Sequence, residues 1–177
     1  MKTKLITSII LICLSYTSIA QITFDSNGLN QIVYDSTLDN DIMLGNFDVD
    51  GMINAKVFKR SFEEEKNYVP NMDMFVPGDN SINDMGITIV MASWCPDSQR
   101  EVPRMIKVLE ALDYPMEMVK IIAVNRQKEV PNIDLSAMEI KYVPTFIFYK
   151  DNEELGRIVE MPKQSLEIDI INILNKQ

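Results

Sequence analysis

Histidine is absent from the 177-residue chain. That removes the imidazole general base and the histidine metal ligand together. Cysteine is nearly as scarce, with two in all. Cys13 falls inside the amino-terminal apolar stretch, so a processed chain would keep Cys95 alone. In an oxidising compartment such a single cysteine is buried, paired with another molecule, or a free reactive thiol. Basic residues are outnumbered 17 to 26, giving a formal charge of −9 that becomes more negative once Lys2 and Lys4 are removed. That surface repels nucleic acid and anionic lipid, and no basic run offers a local exception. Long apolar runs are missing apart from residues 5–14, which follow Lys2 and Lys4 and precede the small residues of Ser18-Ile19-Ala20. Residues 1–20 are therefore expected to be a secretory signal peptide, too short for a membrane span. Ile12 stands where lipoprotein processing at Cys13 would need a small residue. The expectation is an exported protein, periplasmic or secreted, with no membrane anchor in the mature chain. No repeat or low-complexity stretch appears, and residues 21–177 have the size of one domain.

What the chain does have is concentrated between Ile87 and Pro103. Residues 87–91 are an apolar, β-branched run suited to a strand buried on both faces. The run empties through Ala92-Ser93-Trp94 onto Cys95. A helical period follows, with Val102, Met105, Ile106, Leu109 and Leu112 on one face. A sulfur at this junction lies over the unpaired N–H groups and positive dipole end of a helix, which favours the thiolate. The bland alternative is a small buried hydrophobe.

Trp94-Cys95-Pro96-Asp97-Ser98 with Pro103 beyond it, and Tyr142-Val143-Pro144-Thr145 running into Phe146-Ile147-Phe148-Tyr149, occur in a telling order and separation. Together they resemble the active-site turn, kinked helix and cis-proline loop of the thioredoxin family. Within it, the likeness is to exported bacterial members with Trp-Cys-x-Asp-Ser motifs. The resemblance implies an α/β, thioredoxin-like fold over residues 85–177, with a central mixed sheet flanked by helices on both faces. Residues 21–84 are then an N-terminal extension packing on that core. Two departures matter more than the match. Ser98 stands where the family carries its second cysteine, and Ile89 where it carries a buried carboxylate in the strand. Dithiol cycling within this motif is chemically impossible.

Cys95 can still attack a disulfide and form a mixed disulfide. Ser98 cannot resolve that bond, but its hydroxyl can hydrogen-bond the sulfur; it can equally satisfy helix backbone. Resolution must come from a second substrate cysteine, giving isomerisation, or from a small thiol, giving reduction. The resemblance assigns substrate contact to Trp94, Pro96, Val143, Pro144 and Thr145, with cis Pro144 presenting backbone groups to an extended peptide. Asp97, two residues from the sulfur, opposes the thiolate, and the resemblance implies that Glu160 falls on a loop beside it and adds to that effect. Expected partners are protein or peptide thiols and disulfides, with a small thiol as resolving partner; no metal or cofactor is called for. The competing reading is a non-catalytic peptide-binding module on the same frame. A peroxidase would need a threonine where Ala92 stands.

Elsewhere the signals are weaker. Alternation at Ile22, Phe24, Ile32 and Tyr34 around Ser26-Asn27-Gly28 predicts a hairpin. Asn46-Phe47-Asp48-Val49-Asp50-Gly51 matches half of a calcium loop, but Val57 occupies the position of the bidentate glutamate, so a turn is expected. A helix is predicted over residues 52–69, ended by Pro70, and Pro77-Gly78 breaks the next segment. Beyond the active-site helix the pattern predicts a strand at 118–124 and a short helix at 133–140. A hairpin turning at 150–152 follows, then a helix capped by Ser165 with Leu166, Ile170, Ile173 and Leu174 inward. The many methionines read as adaptable core filler.

Overall fold

The computed structural model describes residues 28–76 and 81–176. The expected signal peptide, the Ile22 and Phe24 arm of the expected hairpin, and Pro77-Gly78 lie outside these residues. The chain runs through β1 (Ile32–Asp35), β2 (Asn40–Met43) and β3 (Gly45–Phe47), then α1 (Val49–Asn54) and α2 (Lys59–Glu64). There follow β4 (Gly86–Met91), α3 (Pro96–Ala111), β5 (Val119–Ala123), β6 (Thr145–Lys150), β7 (Glu153–Val159) and α4 (Leu166–Leu174).

The five-stranded sheet has the order β3-β5-β4-β6-β7, with β4 and β5 parallel and the other pairs antiparallel. The most apolar strand thus sits in the middle, where both faces are covered. Alternation along β4 divides the interior into two layers. Ile87, Ile89 and Met91 join Val102, Met105, Ile106 and Leu109 of α3 and Leu166, Ile170 and Ile173 of α4. Val90 and Ala92 point the other way, toward Leu44, Ile122, Val124, Val130 and Val143. The β6–β7 turn holds Asp151 and Asn152 at positive φ, the conformation a two-residue hairpin needs. Ser165 caps α4, its hydroxyl accepting from the Ile168 N–H at 3.2 Å.

Several local expectations are corrected. The turn expected at Ser26-Asn27-Gly28 lies almost wholly outside the described residues, and the described hairpin is β1–β2, turning at residues 36–39. Asp35 builds that turn by accepting from Thr37 N–H at 2.8 Å and Leu38 N–H at 3.2 Å, a side-chain device weaker in sequence than an Asn-Gly pair. The helix predicted over 52–69 is two short helices broken at Ala55. Met52 and Phe58 are both fully buried, yet six residues on a continuous helix would aim them about 120° apart. The break lets each reach the core. The helix predicted over 133–140 shrinks to one 3-10 turn at Ser136–Met138, so all four α-helices pack on one face of the sheet. The other face is covered by that turn, its flanking loop and Val33 of the hairpin. Asp48, in the calcium-like stretch, caps α1 by accepting from Gly51 N–H at 2.6 Å. A Cβ at Gly51 would fall 2.0 Å from the Asn30 side chain that bonds Asp48, so a larger residue there would displace that contact.

The segment before β4 is tied in by partly buried polar contacts as well as by β3. Lys107 of α3 donates to the carbonyls of Glu65, Lys66 and Tyr68 at 2.8, 2.6 and 3.2 Å, capping the end of α2. Glu167, buried in the first turn of α4, accepts from the Tyr68 hydroxyl and the Asn71 N–H, each at 2.9 Å. Burial alone would raise its pKa, but the backbone and hydroxyl donors around it outweigh that and hold it below the usual value. A carboxyl depressed in the folded state stabilises above its unfolded pKa, about 4.3. That contribution is lost as pH falls through the folded value. Glu167→Gln should therefore flatten the acid limb of urea stability measured from pH 7 down to 3. Glu167→Ala should cost about 1–3 kcal/mol at pH 7 by stranding both donors.

Candidate active site

The turn after β4 is held by a full set of short polar contacts. Cys95 N–H closes it onto the Ala92 carbonyl at 3.0 Å, and Gln99 N–H onto the Cys95 carbonyl at 3.0 Å starts α3. Cys95 is the N-cap in extended conformation, and Pro96 follows at a position where a missing N–H has no cost. The Cys95 side chain makes no capping bond. Its sulfur instead donates to the Val143 carbonyl at 3.2 Å, and the residue is 8% exposed. The Val143–Pro144 peptide is cis. This loop is anchored on its other side by the Glu160 N–H, 2.7 Å from the Pro144 carbonyl, and by the Thr145 hydroxyl, 2.7 Å from the Tyr142 carbonyl. Cys95, Val143, Pro144, Thr145 and Glu160 are thus brought together from three separate segments. Tyr142 and Met161 add exposed apolar surface on this loop and next to Glu160.

Ser98 points into the core, fully buried, and its oxygen accepts from the Ala92 N–H at 3.2 Å. It therefore satisfies the end of β4 rather than its own helix, and an accepting hydroxyl still has its proton to donate. Trp94 is half-buried, its indole N–H donating to the Val124 carbonyl at 3.2 Å. The Arg126 guanidinium lies over its ring, 5.6 Å from the centroid. Ser93 is the link to the hairpin: its hydroxyl oxygen accepts from Met43 N–H at 3.0 Å, and its carbonyl accepts from the Gln99 amide at 2.7 Å. Ile89 is wholly enclosed by the core.

The charge around Asp97 is answered within α3. Arg100 pairs with Asp97 at 2.7 Å and with Glu101 at 2.6 Å, and the Glu101 side chain is only 4% exposed. Arg104 continues the network to Glu101 at 3.4 Å and to Glu65 at 2.7 Å, while lying over the Tyr68 ring. Arg126, Arg100, Glu101 and Arg104 were not picked out from sequence. Only the i,i+3 spacing of Asp97 to Arg100 and of Glu101 to Arg104 signals them; the reach of Arg104 to Glu65 has no local signature. Among the described residues no three His, Cys, Asp or Glu side chains gather as a metal site.

A family model described as thioredoxin matches residues 78–171. The chain belongs to the thioredoxin family. Among solved structures it is similar to mitochondrial thioredoxin 3 of Saccharomyces cerevisiae in its oxidized form. That match has 24% identity over 52% of this chain and 82% of that one, with a TM-score of 0.38. It is also similar to a Pseudomonas aeruginosa protein of unknown function, with 12% identity over 73% of this chain and 82% of that one, and a TM-score of 0.41. No curated protein matches the chain. Within the family frame Ser98 doubles as a structural acceptor. Ser98→Ala should cost about 1–3 kcal/mol in urea unfolding, because the Ala92 N–H loses its partner in a dry site.

Proposed function

We propose that this thioredoxin-family protein is an exported monothiol exchanger of thiols and disulfides, working through a mixed disulfide at Cys95. The observation that carries the reading is the placement of the Cys95 sulfur, at the N-cap of the 16-residue α3 and 3.2 Å from the carbonyl before Pro144. The helix N-terminus favours negative charge on sulfur. The adjoining loop offers backbone groups for an extended peptide. In the reaction the Cys95 thiolate attacks one sulfur of a substrate disulfide. A bond forms between them, the original S–S bond breaks, and the second substrate sulfur leaves as a thiolate that takes a proton. In one route a second client thiolate attacks the client sulfur of the mixed disulfide, forming a new client disulfide and releasing Cys95. In the other a small thiolate attacks the Cys95 sulfur and frees the client thiol. A second small thiolate then attacks the small-thiol sulfur, leaving the small-thiol disulfide and returning Cys95. The first route is isomerisation and the second reduction. Lys2, Lys4, the apolar residues 5–14 and Ser18-Ile19-Ala20 support export.

A second reading, a peptide-binding module that does not turn over, draws on the slight exposure of Cys95 and the engagement of Ser98 by Ala92. Incubation with oxidised glutathione separates the two. Exchange predicts one glutathione on Cys95, release by added thiol, and no adduct in Cys95→Ser. A Cys95 that reacts only after denaturation supports the binding module instead.

Restoring the second thiol probes the same site from the other side. Ser98→Cys places two sulfurs one helical turn apart, so it should oxidise internally and gain insulin-reducing activity. Adding Ile89→Asp should raise that rate near neutral pH, at a stability cost of about 2–4 kcal/mol. An internally oxidised Ser98→Cys protein that cannot reduce insulin would mean that the groove lacks a substrate site.

A further inference from the structure

A cleft of about 280 Å³ lies between the β1–β2 hairpin and the active-site turn. Ser93 and Trp94, the two residues before Cys95, form one wall, and Ile42 and Val57 from the segment before β4 form the other. Its apolar surface is therefore aliphatic on one side and indole on the other. Asp41 and Asn40 stand exposed at the rim, with Gln99 across from them. Gln99 spends one amide N–H on the Ser93 carbonyl and keeps its oxygen and second N–H, while the Asn40 amide oxygen already accepts from the Asp41 N–H at 2.9 Å. The Asp41 carboxylate enters none of the ion pairs among the described residues. Two of the arginines near the turn are already placed. Arg100 holds Asp97 and Glu101, and Arg126 rests over the Trp94 ring without lining the cleft.

A cleft with Ile42, Val57 and the Trp94 indole among its walls and an unpaired carboxylate at its rim fits a side chain with a long aliphatic stem and a cationic head. We propose that this cleft is a subsite for a lysine or arginine flanking the reacting cysteine of the client. The proposal rests on the exchange reading for its position beside Cys95, and on the cleft itself for its chemistry. The charge of −9 on the whole chain favours the approach of such clients as well.

The test uses short peptides carrying one cysteine as a disulfide to thionitrobenzoate, with lysine, arginine, glutamine or glutamate beside it. Attack by the Cys95 thiolate on the peptide sulfur forms the mixed disulfide and releases coloured thionitrobenzoate. At low ionic strength the lysine and arginine peptides should react about three- to tenfold faster than the glutamine peptide. Asp41→Asn should reduce that advantage to within about twofold while leaving the glutamine peptide unchanged. A second arm removes the chemistry: Cys95→Ser protein is titrated with the same peptides bearing serine, reading the fluorescence of Trp94, the single tryptophan. The lysine peptide should bind more tightly than the glutamine peptide, and Asp41→Asn should abolish the difference. Equal reaction of all peptides, or a preference unchanged by Asp41→Asn, overturns the subsite and leaves exchange standing. If no peptide reacts but the fluorescence arm orders them as expected, exchange falls and the subsite stands. If neither arm discriminates, the subsite is overturned.

Discussion

Placing a sharp turn between two apolar layers is possible only if its backbone groups find partners away from water. The stretch from Ala92 to Cys95 meets that constraint from several directions. The Ala92 N–H goes to Ser98 of α3, and the Ala92 carbonyl takes Cys95 N–H. The Ser93 carbonyl takes the Gln99 amide. The Trp94 indole goes to the end of β5, and the Cys95 sulfur to the loop before β6. Each partner comes from an element that the sheet order has already brought to the same edge. The position of the sulfur is thus a product of the topology, not of the motif alone.

The segment before β4 takes part in the same arrangement. β3 adds an edge strand against β5, with Phe47 opposite Ile121. Met43, Phe47, Met52 and Phe58 are buried in one cluster with Ile87, Ile89 and α3. Met43 also donates its N–H to Ser93 inside the turn before Cys95. Charge follows the same path: Glu65 reaches Arg104, which shares Glu101 with Arg100, which holds Asp97 two residues from the sulfur. Asp97 therefore does not confront Cys95 as a bare carboxylate, and part of its influence is neutralised by Arg100.

Sequence patterns carried the core of the fold because its signals are local or come in ordered pairs. The β-branched run of β4, the Cys95–Pro96 junction and the 3.6-residue period of α3 each follow from neighbouring residue types, and the loop at Pro144 from its resemblance to the thioredoxin family. The segment before β4 was harder to read. The β1–β2 turn is built by the Asp35 side chain rather than by glycine, and the break at Ala55 is decided by what Met52 and Phe58 must reach. Neither has a signature within its own window. The Ser136–Met138 turn failed as a helix for the related reason that its apolar residues serve a loop lying flat on the sheet. Ser98 was recognisable as an oxygen in place of a sulfur. Its partner, Ala92, required the three-dimensional closure of strand on helix.

The two departures from the dithiol pattern support each other physically. A buried carboxylate in the middle of β4 earns its desolvation cost only where a proton must be taken from a second thiol nearby. Without that thiol, a charge at position 89 would sit uncompensated among Met105, Ile106 and Phe146, an environment where unpaired polar groups cost several kcal/mol. Ile89 fills the same space with apolar surface and no such penalty. Ser98 completes the change, because a hydroxyl oxygen is a better acceptor for the Ala92 N–H than a thiol sulfur. The strand end is then held as firmly in the monothiol site as the fold requires. One sulfur, an oxygen that keeps the turn closed and an apolar strand behind it form a self-consistent set. Removing the oxygen, or placing a carboxylate in the strand, leaves a buried group without its partner.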